Sequence, residues 1–427
     1  MRMMRWVAAL CAAMVLAAGC HNGGHAQNST DMRAVNAVAG VGPIDVLVDG
    51  DVKVAGLAFG ATSPFSEFSD GTHDVQVRST TTQTILSDKS LSFGSGANTT
   101  LLAFGSGGSV STVALVDDTT SPSSSGNFKL RVAGSASDAG PVDVYVTQAA
   151  DISTTPPTVA GLAVGVVGDF VEAPAGNYRI FVTVAGTKDI LLQTPAQALA
   201  GNTAYTFAVV SAGGGKLVNG ILLVQGNGGA GTFLANPFGR IKAANAVPDS
   251  ASFNFKIDGA TLLSNVPFAA SSSYVTVAAG ARTVQVESSN VPGTIVASLP
   301  LQVDSARDFT VAAVNNLAGT QLVAFTDDNS FPPVGLGKLR FVNLMVGSTG
   351  VDVLVNFASQ TTGLTFKTAS AYYSLAPSTT YTITFTTPGG VSVIAALSPV
   401  EIDAGGVYTA YLFGTPAAPQ ARLARDR

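Results

Sequence analysis

Apolar residues recur along this chain at every second position, in short runs separated by Gly, Pro, Ser and Asn. Ile44-Asp-Val-Leu-Val48, Val142-Asp-Val-Tyr-Val146, Phe253-Asn-Phe-Lys-Ile257 and Val351-Asp-Val-Leu-Val355 show the alternation most clearly. A strict period of two puts one apolar face on a strand. Beyond the first twenty residues no segment keeps a helical period over a useful length. Strand signals at roughly 8–12-residue intervals predict an all-β sandwich or barrel.

The strands belong to a repeat. Arg33, Arg131, Lys242 and Arg340 open related segments, spaced 98, 111 and 98 residues apart, and each is followed twelve residues later by Asp45, Asp143, Asn254 or Asp352. Fourteen residues further on stand Phe59, Phe268 and Phe366; Val164 comes after 21, so the second copy carries a seven-residue insertion around 153–157. Six residues later each copy has an aromatic, Phe65, Phe170, Tyr274 or Tyr372. Gly71, Gly176 and Gly280 then precede alternating strands, and further strands are expected at 99–104, 203–210, 308–314 and 407–413. About 100 residues and seven or eight strands per copy fit tandem immunoglobulin-like antiparallel β-sandwich modules, four in number. Their expected bounds are 32–126, 127–237, 238–337 and 338–427. A propeller with two blades per copy is the rival architecture. Linkers are expected near 121–126, 227–237 and 331–337, giving a string of beads on the order of 120–160 Å long. Each basic residue and the acid twelve places later are expected on neighbouring strands, close enough to pair.

Residues 1–19 stand apart. Arg2 and Arg5 precede an apolar run from Trp6 to Ala18, then Gly19 and Cys20. A charged start, a short apolar run and small residues at a cut site make a secretory signal peptide. The run is too short to span a bilayer, which takes about 20 apolar residues. Cys20 directly after small residues resembles the bacterial lipobox. That resemblance implies cleavage before Cys20 and a lipid on its thiol, with residues 20–31 as a flexible tether. The alternative is an ordinary secretory signal cut near Ala18 or Ala26. Of the two cysteines, Cys11 leaves with the signal, so Cys20 has no partner for the disulfide that exported proteins commonly use.

Composition narrows the function classes. Charged residues are 11% of the 427, and cleavage at Cys20 leaves 20 basic against 27 acidic residues, a net charge of −7. Such a chain has no basic field for nucleic acid. The expected membrane contact is therefore through acyl chains rather than lipid headgroups. Catalytic chemistry is not apparent. The three histidines are His21 and His25 in the tether and His73 beside a turn, where an exposed side chain is expected. No Ser sits in a G-x-S-x-G elbow, and the glycine runs at 94–96, 105–108 and 226–231 read as turns because no helix follows. Asp117-Asp118 and Asp327-Asp328 are the only adjacent acid pairs that end a strand. They read as polar strand ends, with calcium as the alternative, although neighbours in a strand point to opposite faces. Trp6, the one Trp, leaves with the signal, so no indole remains for stacking on sugars. Tyr178, Tyr205 and Tyr381 fall on strand patterns and are expected in cores; of Tyr372 and Tyr373, one is expected inside and one on the surface.

The order of basic strand, V-D-V-x-V, F-x5-aromatic, Gly turn and V-x-V strand resembles the bacterial DUF4397 domain. Ala114-Leu-Val-Asp-Asp118 and Ala324-Phe-Thr-Asp-Asp328 resemble its closing strand. The second copy departs with Gln225-Gly226. The resemblance covers nearly all of 32–427 and implies a sandwich and export, without an activity. The expectation is a non-enzymatic, lipid-anchored cell-envelope protein serving as spacer, scaffold or adhesin, with no cofactor, metal or nucleic acid. A cell-surface protein or glycan is the expected partner class, and the outer membrane the location in a host with two membranes. The alternative is a small-molecule or glycan-binding lipoprotein that uses the inter-strand loops of one module.

Overall fold

A computed structural model describes residues 28–106, 109–226, 230–289 and 292–427. The expected signal peptide, Cys20, His21 and His25 lie outside the described residues. What is described is almost wholly strand, with one 3₁₀ turn at Leu317–Gly319.

Eight sheets form four sandwiches. The first sandwich contains β1 (Ser29–Ala39), β2 (Ile44–Val48), β3 (Asp51–Leu57), β4 (Ser66–Ser69), β5 (Gly71–Ser79), β6 (Ile85–Phe93), β7 (Asn98–Ser106) and β8 (Ser109–Val116). One sheet runs β4-β1-β7-β8 and the other β3-β2-β5-β6. The first and seventh strands are parallel, from Asp31↔Asn98 to Ala39↔Ser106. The other three copies repeat this parallel pair at Ala204↔Lys129, Arg240↔Asp308 and Lys338↔Val407. The expected sandwich is therefore present in each copy, with this strand order. Each has its own core, such as Ile44, Val46, Val75, Val77 and Leu101 in the first.

The repeated polar residues explain why each chain segment folds this way. Asp45 does not meet Arg33, because β1 and β2 belong to opposite sheets. It accepts instead from the Gly56 amide at 2.9 Å and from Arg78 at 2.8 Å. Asp143 and Asp352 accept from Gly161 and Gly363, and Asn254 from Asn265, all at 2.7–2.9 Å. These four donors have φ between 53° and 64° and lie at an irregularity of the second-to-third strand hairpin. The acid thus clips a β-bulge by satisfying an amide that the ladder leaves out. Asn36, Asn245 and Asn343 close the sandwich top. Each donates to a third-strand carbonyl, Leu57, Val266 or Leu364, and accepts from the amide two residues on.

The sandwiches are not separate beads. Alternation fails in β1, where ten of eleven residues are buried, because both of its faces are covered. One face looks into its own core. The other meets the second sandwich: Val35, Ala37, Leu102, Phe104 and Leu115 form one cluster with Ala133, Ala208, Val210, Ile221 and Leu223. The third and fourth sandwiches pair in the same way, Ala244, Ala312, Val314 and Phe325 against Val342, Leu344, Tyr411 and Phe413. Alanines at these faces let the backbones approach closely.

The linker expectations also need revision. The linkers are short, but the pairs abut rather than swing. Asn329 N–H donates to Gly214 O at 2.7 Å, Ser305 Oγ donates to Asn236 O at 2.8 Å, and Arg307 donates to Gly213 O. A Cβ on Gly215 would fall 1.9 Å from the Ala306 carbonyl oxygen. Arg427 donates to Asn329 O and lies 3.7 Å from the centre of the Phe331 ring, beside Gly140 and Gly405.

Sixth strands form sheet edges. Two of them carry a proline, Pro300 and Pro399, and the first carries Asp88 and Lys89. Proline and charge keep such edges from pairing with another chain.

Candidate functional site

The recurring cations and the closing acids converge on the two seams between paired sandwiches. In the first pair, the buried Arg33 donates through Nε to Thr100 Oγ1 at 2.9 Å and through Nη2 to Asp117 Oδ2 at 3.2 Å. Its Nη2 also crosses the seam to Val224 O at 2.8 Å. Arg131 makes the reciprocal set, to Thr206 Oγ1 at 3.1 Å and to Val116 O at 2.9 Å. Asp117 accepts from Gly226 N–H, and Gln225 Oε1 from Asp118 N–H, again reciprocally. The two sandwiches are thus related by a pseudo-twofold. Gln225 takes the place of the acid and keeps its hydrogen bond. Burial lowers Arg131 below its ordinary value, and the fields of Asp117 and Asp118 oppose that shift.

In the second pair the ion pairs themselves cross the seam. Arg340 of the fourth sandwich donates to Asp327 of the third, and Lys242 of the third donates to Asp426 of the fourth. Thr310 Oγ1 donates to Asp327 at 2.6 Å, Tyr274 O–H donates to it too, and Thr409 donates to Asp426. Both ion pairs are at most 2% exposed. Burial pushes the Asp327 carboxyl up, against the pull of Arg340 and Lys242. Burial would lower Arg340, yet the facing carboxylate raises it overall. Arg340 can only donate and carries a permanent charge against the Asp327 carboxylate, so the pair is an ion pair.

The recurring aromatic covers this cation. Phe65, Phe170, Tyr274 and Tyr372 lie 5.0–5.1 Å from Arg33, Arg131, Lys242 and Arg340 respectively. That distance lies within cation–π range. Phe59, Phe268 and Phe366 pack against the apolar seam clusters.

The acid pairs therefore split between two duties. Asp117 and Asp327 belong to the seams, whereas Asp118 and Asp328 hold Lys129 at 2.6 Å and Lys338 at 2.8 Å. Burial alone would raise the Asp118 carboxyl, but Lys129 and Thr120 hold it down at about 2. A polar strand end entering a linker describes Asp118, not Asp117. Tyr178 and Tyr205 are core residues and Tyr381 packs on a core; Tyr372 and Tyr373 are both half-buried, one over the seam cation and one against Phe341. The threonines of the seam, Thr100, Thr206, Thr310 and Thr409, carry no signal in sequence beyond their seventh-strand position.

His73 is 9% exposed rather than an open turn residue. Its Nδ1 lies 2.6 Å from Asp49 Oδ2 and its Nε2 lies 2.9 Å from Ser69 O. A carboxylate and a carbonyl only accept, so both ring nitrogens must donate and the ring is an imidazolium. Asp49 raises its pKa, and burial opposes this. A raised folded-state value contributes stability that is full below the unfolded value of about 6.5 and disappears as pH rises through the folded one. The His73 ring is expected to titrate above 6.5 by NMR, and His73→Gln should flatten the pH dependence of the unfolding midpoint in that window. A ring titrating at or below 6.5 would contradict the imidazolium.

A groove of about 540 Å³ opens at the edge of the second seam, between Val323–Thr326 of the third sandwich and Lys367–Tyr372 of the fourth. Among the described residues no three or more His, Cys, Asp or Glu side chains gather to hold a metal.

The family model described as "Domain of unknown function (DUF4397)" matches residues 30–145, 239–348 and 337–427. The chain belongs to the DUF4397 family. The three DUF4397 matches follow the repeat, and most of the second sandwich lies between them, where Gly134 and Gln225 replace the Asn and Asp of the other copies. Gly134 is required there, since a Cβ would fall 2.3 Å from the Ala163 carbonyl oxygen. No curated protein matches this DUF4397 chain.

Proposed function

We propose that this chain is a non-enzymatic, lipid-anchored protein of the cell envelope, whose paired sandwiches form a stiff scaffold or spacer that presents an adhesive surface. The observation that carries the reading is the fate of the recurring ionisable groups. Lys242, Arg340, Asp327 and Asp426 pair across the second seam, and Arg33 and Asp117 reach across the first by hydrogen bonds, so these groups join sandwich to sandwich. Groups held in this way serve cohesion rather than turnover. The signal-like residues 1–19 and Cys20 supply the anchor in this reading, with acyl chains holding an acidic chain to the bilayer. His21, rather than Asp, after the cysteine directs it to the outer membrane where the host has two.

The test is metabolic labelling with a fatty-acid analogue, followed by membrane fractionation. The full chain should carry label and sediment with membranes. Cys20→Ala should carry none. Label unchanged in Cys20→Ala, or an unlabelled soluble chain, overturns the anchor.

A further inference from the structure

One seam carries a strand that the other lacks. In the first pair, Thr232–Leu234 adds to Val218–Val224 as an antiparallel strand, with Ile221 opposite Phe233. It lies against the fourth-strand approach of the first sandwich. Phe233 meets Phe59 edge-to-face at 5.7 Å, and a Cβ on Gly60 would stand 2.6 Å from its ring.

The pseudo-twofold maps this place onto the second pair. Arg33 reaches Val224 O, and Arg340 reaches Thr326 O, so Val218–Val224 corresponds to Gln321–Asp327. Phe59, Gly60 and Phe65 correspond to Phe366, Lys367 and Tyr372. The volume that Thr232–Leu234 fills in the first pair is the open groove of the second. Gln321–Asp327 is an edge strand there, and Leu322, Val323 and Ala324 are half-exposed where Gly220, Ile221 and Leu222 are buried.

We propose that this groove accepts an extended segment of a partner protein as an added antiparallel strand on Leu322–Ala324, with an acidic side chain set against Lys367. Strand addition to an open edge is a known mode of peptide capture, in which backbone bonds give affinity and side-chain pockets give specificity. The chain itself shows a three-residue strand occupying the equivalent site. Lys367 sets the chemistry. Its Cβ stands where Gly60 leaves room for the Phe233 ring, so an aromatic cannot sit there in the same way. Its ammonium is held over the Phe366 ring at 4.9 Å and bonded to Gln321 Oε1 at 2.7 Å, and it suits a carboxylate. The neighbouring carboxylate, Asp328, is already paired with Lys338. This inference goes beyond the anchored-scaffold reading and stands whether or not Cys20 is acylated.

The probes are synthetic peptides of residues 230–236 carrying Phe233→Glu or Phe233→Lys, titrated to millimolar concentration into the isotope-labelled full chain. The Glu peptide should shift the amide signals of Leu322–Ala324 and Lys367–Ser370 and slow hydrogen exchange at the strand. Lys367→Glu, a change at a half-buried groove residue whose effect on folding is checked by the unfolding midpoint, should weaken the Glu peptide at least ~10-fold and strengthen the Lys peptide. No shift at these residues, or equal binding of both peptides to both proteins, overturns the proposal. Self-association of the full chain that is lost in Lys367→Glu, with no peptide binding, gives the groove to a second copy and overturns it as well.

Discussion

Asp327→Ala is expected to lower the unfolding free energy by about 3–5 kcal/mol, the usual cost of leaving a buried partner charge alone. The carboxylate accepts from Arg340, Thr310 and Tyr274; its loss would leave the buried Arg340 charge without its counter-charge and both hydroxyls without this acceptor. The loss should appear in urea unfolding followed by circular dichroism, as a shift of the transition belonging to the third and fourth sandwiches. The pair as a whole is a different matter, because desolvation opposes the attraction between its charges. Combining Asp327→Leu with Arg340→Met should therefore cost far less than Asp327→Ala alone. A single-site loss below about 1 kcal/mol, the range of exposed ion pairs, would show that the seam is wet.

Residues 337–427 alone should not fold as a monomer, whereas residues 238–427 should unfold cooperatively. A lone fourth sandwich keeps its core, with Phe341, Val353 and Phe385, but exposes Val342, Leu344, Tyr411 and Phe413 and parts Arg340 from Asp327. The pseudo-twofold suggests how it would recover: two copies facing each other could exchange Arg340–Asp426 pairs. Its folding should then depend on protein concentration, as for obligate dimers. Sedimentation with denaturant unfolding at two concentrations decides the matter. A folded, concentration-independent monomer of 337–427 would show that the seam adds little and that the bead description was adequate.

How legible this molecule is in its sequence depends on the range of the interaction. Period-two patterning located strands such as Ile44–Val48 and Val351–Val355, because the alternation is set by neighbours in the same segment. The repeat marked many of the seam residues, though not the threonines or Asp426. Arg33 and its counterparts, the closing Asp and the aromatic six places past Phe59 all stood out by spacing alone. Their partners did not. Asp45 comes soon after Arg33 in sequence yet belongs to the other sheet, and Asp117 is brought over by β8, across the parallel β1–β7 pair. Strand order decides which residues meet, and spacing within one copy does not contain it. The pairing of sandwiches was harder still to see, since a strand buried on both faces reads simply as apolar. The signal available in sequence was the lack of clean alternation in Ala34–Ala39 and Ala204–Ser211, both of which the structure buries throughout. The groove was not visible at all, because it is the absence of a strand between two copies.

The reciprocal seams also bear on how such an array can change length. Each seam takes a buried cation from both neighbours, closed by an acid from both in the second seam and by Asp117 and Gln225 in the first, and the two faces are consumed by each other. A fifth sandwich appended to either end would meet a loop-built junction like that at Gly214 and Asn329, with its own charged face left open to water. Two added together would close on themselves. Repeat number in chains built on this plan is therefore expected to grow or shrink in even steps, with the duplicated unit two sandwiches long.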